Sequence, residues 1–130
     1  MKYILDADWI IQALAGHQPT LERLQRLHPE DVAMSLVTIG EIYEGIYYGR
    51  DPHKAEAIFH QFLRLAETLP LTHTIMQRFA RIRGELRRKG QIIGDFDILI
   101  AATALHYDLI VVTRNMRDYQ RIPQLRLYRE

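Results

Sequence analysis

The sequence predicts an α/β fold with a central parallel sheet of four to five strands, and three observations carry that expectation. Short apolar or β-branched runs alternate with longer helical patterns along the 130 residues. The strong runs are almost continuously apolar, as strands covered on both faces are. No Gly/Ser linker, low-complexity tract or internal repeat interrupts the series, so a single domain is expected over residues 1–130.

Taken in order, Tyr3-Ile4-Leu5 is the first strand, and Asp6 is placed to cap a helix that begins near Asp8 and runs over 9–15. A second helical pattern covers 20–27. Val32 to Val37 is the second strand and leads into a helix over 39–48, where Thr38-Ile39-Gly40-Glu41 has the spacing of a capping box. A helix over 53–66 precedes a weaker strand at 67–71 and a basic helix at 74–89. The segment from Asp95 to His106 is helical with a stripe of Ile98, Ala101, Ala102 and Leu105, and Asp95 is its expected N-cap. Leu109 to Thr113 is the last strong strand. Asn115-Met116-Arg117-Asp118 repeats the capping spacing with a shorter acid, and Leu125 to Tyr128 is an edge candidate.

Composition excludes several classes. Lys and Arg number 17 against 16 Asp and Glu, so bulk positive charge cannot hold this chain to nucleic acid, and any such contact must be local. The absence of Cys removes disulfides, thiolate nucleophiles and Cys-ligated metals. No apolar run approaches the roughly 20 residues of a membrane helix, and Asp6 follows only three apolar residues at the start, where a signal peptide would carry a longer apolar core. A cytoplasmic protein without a membrane partner is expected.

The candidate chemistry lies in acids at the ends of strands. Ligands of open parallel sheets sit beyond the carboxyl ends of the strands, where strand order reverses. Asp6 follows the first strand, Glu41 falls on the first turn of the helix after the second, and Asp118 lies beyond the last strong strand. Asp97 borders the buried stripe of its helix with the cap already supplied by Asp95, so its carboxylate needs a partner, either an Arg or a metal. Clustered carboxylates repel unless a cation sits among them, and oxygen ligands without Cys or placed His suit Mg²⁺ or Mn²⁺.

Four blocks then carry a resemblance. Ile4-Leu5-Asp6-Ala7-Asp8 resembles a strand ending in an acid; Ser35 to Gly45 is similar to S-x-x-T-x-x-E-L-x-x-G. Residues 93–104 match I-x-x-x-D-x-x-I-A-A-x-A, and Val112 to Tyr119 with Arg121-Ile122-Pro123 matches V-T-x-N-x-x-x-F-x-R-I-P. In this order they resemble the PIN-domain ribonucleases of the VapC toxin type. The resemblance implies a three-layer α/β/α fold and a Mg²⁺-dependent endoribonuclease, with Mn²⁺ as the other ion, cleaving single-stranded or loop RNA. It implies a homodimer and a VapB-like antitoxin. By position it puts metal-binding and catalytic roles on Asp6, Glu41 and Asp97, with the fourth on Asp118 or its neighbour Asn115. Asp8, Asp95, Thr113 and Asn115 would support them. Ala7-Asp8 stands where the family usually has Thr-Asn or Thr-Ser.

Two rival readings use the same residues. A catalytically inactive PIN-like module would bind RNA or protein without cutting, which retention of the acids argues against. A haloacid dehalogenase-type phosphatase would use Asp6-Ala7-Asp8 as its D-x-D, but Lys2, Lys54 and Lys89 are poorly placed for it. In the basic helix, Arg81 and Arg88 lie seven apart on one face and could track an RNA backbone or simply be solvated. Tyr43, Tyr47 and Tyr48 read as interface residues.

Overall fold

The computed structural model describes residues 1–129. Four parallel strands, β1 (Tyr3–Leu5), β2 (Val32–Ser35), β3 (Glu67–Leu69) and β4 (Ile110–Val112), lie in the order β3-β2-β1-β4. β1 pairs with β2 through Tyr3 and Val32, and with β4 through Tyr3 and Ile110. The chain steps outward from β1 to β2 to β3 and then returns to the other side of β1. Strand order therefore reverses beside β1, the point where open parallel sheets place a ligand crevice, beyond the carboxyl ends of the strands.

The two-residue side-chain period of the strands divides the core. Ile4, Ala33, Leu69 and Val111 face one way, against α5 (His73–Arg88) and α6 (Asp95–Tyr107), burying Leu86, Ile98, Ala101 and Ala104. Leu5, Val32, Met34 and Val112 face the other way. Against them pack α1 (Ala7–Leu14), α3 (Leu36–Tyr47) and α4 (Pro52–Leu63) through Trp9, Ile10, Ile42, Ile46 and Phe59. α2 (Gln18–Gln25) packs on α1. The expected three-layer α/β/α arrangement is present, and α6 is buried on most sides because small residues at 101, 102 and 104 let it sit close to the sheet.

Several boundaries depart from expectation for identifiable reasons. The run Val32 to Val37 is strand only to Ser35, whose hydroxyl accepts the Val37 N–H and starts α3 at Leu36, ahead of the expected start. Thr38 therefore lies inside the helix, the Thr38–Glu41 capping box does not form, and Glu41 stands on the second turn. Gly94 is the N-cap of α6, and Asp95, its first residue, pairs with Arg83 at 2.7 Å. α5 ends in left-handed Gly90, with Gln91 N–H closing on the Leu86 carbonyl at 2.8 Å. The C-terminal edge segment makes one parallel bridge, Leu127 to Val111. A short α7 (Met116–Tyr119) follows β4.

Candidate active site

The site is built where β1 and β4 end. Asp6 N–H donates to the Val112 carbonyl at 2.9 Å, so the sheet itself fixes the residue. Its side chain, 6% exposed, accepts the Ala7 N–H at Oδ1 and the Thr113 hydroxyl at Oδ2, both at 2.8 Å. Asp6 thus caps α1, as its position after the strand predicts, and is also tied across the crevice to the residue that ends β4.

Thr113 is a junction. Its hydroxyl donates to Asp6, lies 3.4 Å from Asp8 Oδ2, and accepts the Asn115 N–H at 3.0 Å. Asn115 carries the network to the far acids, because its Nδ2 donates to Asp97 Oδ2 at 2.9 Å and to Asp118 Oδ2 at 3.1 Å. The alternatives left open for the last position meet in one contact: Asn115 bridges Asp97 and Asp118. Asp118 also lies 3.7 Å from Arg121. The partners of Asp97 are neutral donors, Asn115 and the Tyr119 hydroxyl at 3.4 Å, where an Arg was one expectation.

Electrostatics binds these residues into one site. Burial first, and then the charges of Asp6 and Asp97, lift the Glu41 carboxyl to about 7. Burial and then Asp6 raise both Asp97 and Asp8 to about 6. Glu41 Oε1 and Asp8 Oδ1 are buried without a hydrogen-bond partner. A carboxylate oxygen held away from water with no donor is costly, and two of them beside further acids form a donor set suited to a hard cation. Among the described residues, no three His, Cys, Asp or Glu side chains form a ready-made metal cage. Neutral Thr113 and Asn115 stand between acids that would otherwise repel.

Tyr119 is a residue of the candidate site that sequence reasoning missed. It is fully buried, its hydroxyl points at Asp97, and burial followed by the Asp6 and Asp97 charges holds the phenol far above its ordinary range. It therefore remains a proton donor. Its aromatic position in the closing block is the sequence signal that could have found it. Asp95, by contrast, engages α5 through Arg83 and contacts none of these acids.

Comparison with known proteins gives the family. A family model described as PIN domain matches residues 3–125, and the "Ribonuclease VapC2" of Haemophilus influenzae is 31% identical over 97% of this chain and 96% of its own length. The chain belongs to the PIN-domain family of VapC ribonucleases. The PIN domain is also 28% identical to the "tRNA(fMet)-specific endonuclease VapC" of Salmonella typhimurium, over 98% of this chain and 96% of that one. The DNA-bound VapBC structure from Salmonella typhimurium superposes with a TM-score of 0.88 at 28% identity, covering 98% of this chain and 97% of that one. PIN-domain VapC nucleases are in general metal-dependent. The match displaces the phosphatase reading of Asp6-Ala7-Asp8. No described helix is long and apolar enough to cross a membrane.

Proposed function

We propose that this PIN domain is the toxin half of a VapBC-type toxin–antitoxin pair, an endoribonuclease that hydrolyses single-stranded or loop RNA in the cytoplasm with Mg²⁺, or Mn²⁺, in the acid crevice. The observation that carries the reading is the pair of buried carboxylate oxygens without donors, on Glu41 and Asp8, within the crevice that holds Asp6 and Asp97. Asp6, Asp97, Glu41 and Asp118 would hold the ion. Bound there, a divalent cation supplies Lewis-acid activation of water and charge stabilisation at the phosphoryl oxygens.

The remaining work belongs to the chain's own residues. Thr113 and the Ala7 N–H hold Asp6 in one rotamer, which keeps its oxygens oriented without reorganisation. Asn115 holds Asp97 and Asp118 together. Glu41, with Oε1 buried and unpartnered, is suited to orient an attacking water beside the ion. Tyr119, buried, keeps a protonated donor on Asp97.

Solved relatives such as the VapBC structures from Rickettsia felis and Salmonella typhimurium are complexes, which supports a VapB-like antitoxin as partner here. A homodimer is the companion proposal. Tyr47 and Tyr48 project from the end of α3 at 55% and 89% exposure, with Tyr43 stacked on Tyr47, and suit an interface. The deciding experiment incubates purified protein and single-stranded RNA with Mg²⁺, with EDTA, and with the Asp6→Asn variant. Cleavage only in the first sample is the expected result. Binding without cleavage would return the inactive RNA-binding module.

A further inference from the structure

We propose that Arg114 grips a phosphate of the RNA backbone at the rim of the acid crevice, and that Gln12 is the positioning residue that aims it. The inference rests on the ribonuclease reading and supplies what that reading lacks, a cation fixed beside acids that would otherwise repel a polyanion.

Arg114 follows Thr113 directly, and its backbone N–H donates to Asp8 Oδ2 at 3.0 Å. That bond pins the start of its side chain to the crevice. Its Nη1 donates to Gln12 Oε1 on α1. The same Gln12 oxygen accepts the Thr20 hydroxyl at 2.8 Å, and Thr20, only 2% exposed, contacts His17 Nδ1 at 2.7 Å. The guanidinium is thus held from behind by an anchored neutral acceptor while the residue itself is exposed.

Its freedom from carboxylates separates it from its neighbours. Arg83, Arg88, Arg121 and Arg126 each lie against an acid: Asp95, Glu85, Asp118 and Asp108. Among the described residues, no carboxylate lies within ion-pair distance of the Arg114 guanidinium. Arg81 and Arg117 are also exposed, but no hydrogen bond or ion pair among the described residues holds either. An unheld side chain loses rotamer entropy when it binds. Arg114 has lost much of it in advance, retains its full charge, and presents a planar fork matched to phosphate oxygens.

The test measures binding of a fluorescent single-stranded RNA in EDTA across a series of KCl concentrations, with cleavage kinetics in Mg²⁺ alongside. Arg114→Ala, which keeps the backbone bond to Asp8, should weaken binding about tenfold at low salt. It should also reduce the slope of log K against log salt by about 0.7, the value of one single-strand phosphate contact. In Mg²⁺ its KM should rise with little change in kcat, since the contact is shared by ground and transition states. Arg114→Lys should recover the salt slope and only part of the affinity. Gln12→Ala should weaken binding less than Arg114→Ala and add nothing in the Arg114→Ala background. An unchanged salt slope in Arg114→Ala, a fall in kcat at constant KM, or additive Gln12 and Arg114 effects would each overturn the assignment. A wild-type protein that cuts RNA while Arg114→Ala matches it would overturn this assignment alone. A wild-type protein that neither binds nor cuts RNA would overturn the ribonuclease reading with it.

Discussion

Replacing Glu41 by Gln should stabilise the metal-free protein, and the gain should grow with pH. The carboxyl is raised from 4.5 to about 7, with burial as the largest cause and Asp6 and Asp97 next. A carboxyl whose folded pKa lies above its unfolded one binds its proton more tightly in the folded state. Its ionisation therefore costs nothing below about 4.5, costs progressively more as pH rises, and costs the full amount above about 7. At full strength that displacement is about 3 kcal/mol. Partial exposure to solvent reduces it to on the order of 1–2 kcal/mol. For a domain of this size, this is roughly 3–8 °C in Tm. Oε1 has no hydrogen-bond partner to lose, so the substitution removes charge and little else. Thermal melts of the wild-type and Glu41→Gln proteins in EDTA at about pH 4.5 and about pH 8, on either side of the titration, provide the comparison. The Tm values should nearly coincide at the lower pH and separate at the higher, with the Glu41→Gln variant the more stable. A less stable variant at the higher pH, or an equal difference at both, would mean that Glu41 does not feel the other acids and that the crevice is not one electrostatic unit.

Asp97→Asn should abolish Mg²⁺-dependent RNA cleavage while leaving the metal-free Tm unchanged or higher, because one of the mutually repelling acids is gone; retained activity with a lowered Tm would contradict both halves. Mg²⁺ should raise the Tm of the wild-type protein, by the equivalent of about 2.7 kcal/mol at a hundred times its Kd. Calorimetric titration should find this binding lost in Asp6→Asn. Thr113→Val keeps the shape but leaves Asp6 Oδ2 and the Asn115 N–H without their shared hydroxyl, so urea denaturation should register a loss of about 2 kcal/mol. Changing Arg81 and Arg88 together to Ala should raise KM for RNA and flatten its salt dependence if the basic helix tracks the backbone. Since Arg88 already pairs with Glu85 at 2.6 Å, unchanged RNA kinetics with normal antitoxin binding would assign the pair to solvent.

The sequence by itself determined the layers and the place of the candidate site. Hydrophobic periodicity identifies β1, β2 and β4, because a buried parallel strand must be apolar on both faces, and Asp6 is legible because a charge directly after such a strand has only the sheet's end to occupy. Asp97 is legible because it borders an apolar helical stripe. The family resemblance supplied the expected roles that spacing left open.

Only the tertiary structure decided the connections. Capping depends on which backbone N–H a side chain reaches, and the earlier start of α3 at Leu36 removes Glu41 from the box with Thr38 and turns it toward the crevice. Asp95 has a good capping sequence, yet Arg83, on the preceding helix, engages its carboxylate while Gly94 takes the cap position. Thr113, Asn115 and Tyr119 bond to acids up to 107 residues distant in sequence. Gln12 and Arg114 meet across 102. Such contacts leave no periodic trace, because they are set by the parallel pairing of β1 and β4 and by which neutral donors fit between carboxylates that cannot approach one another unaided.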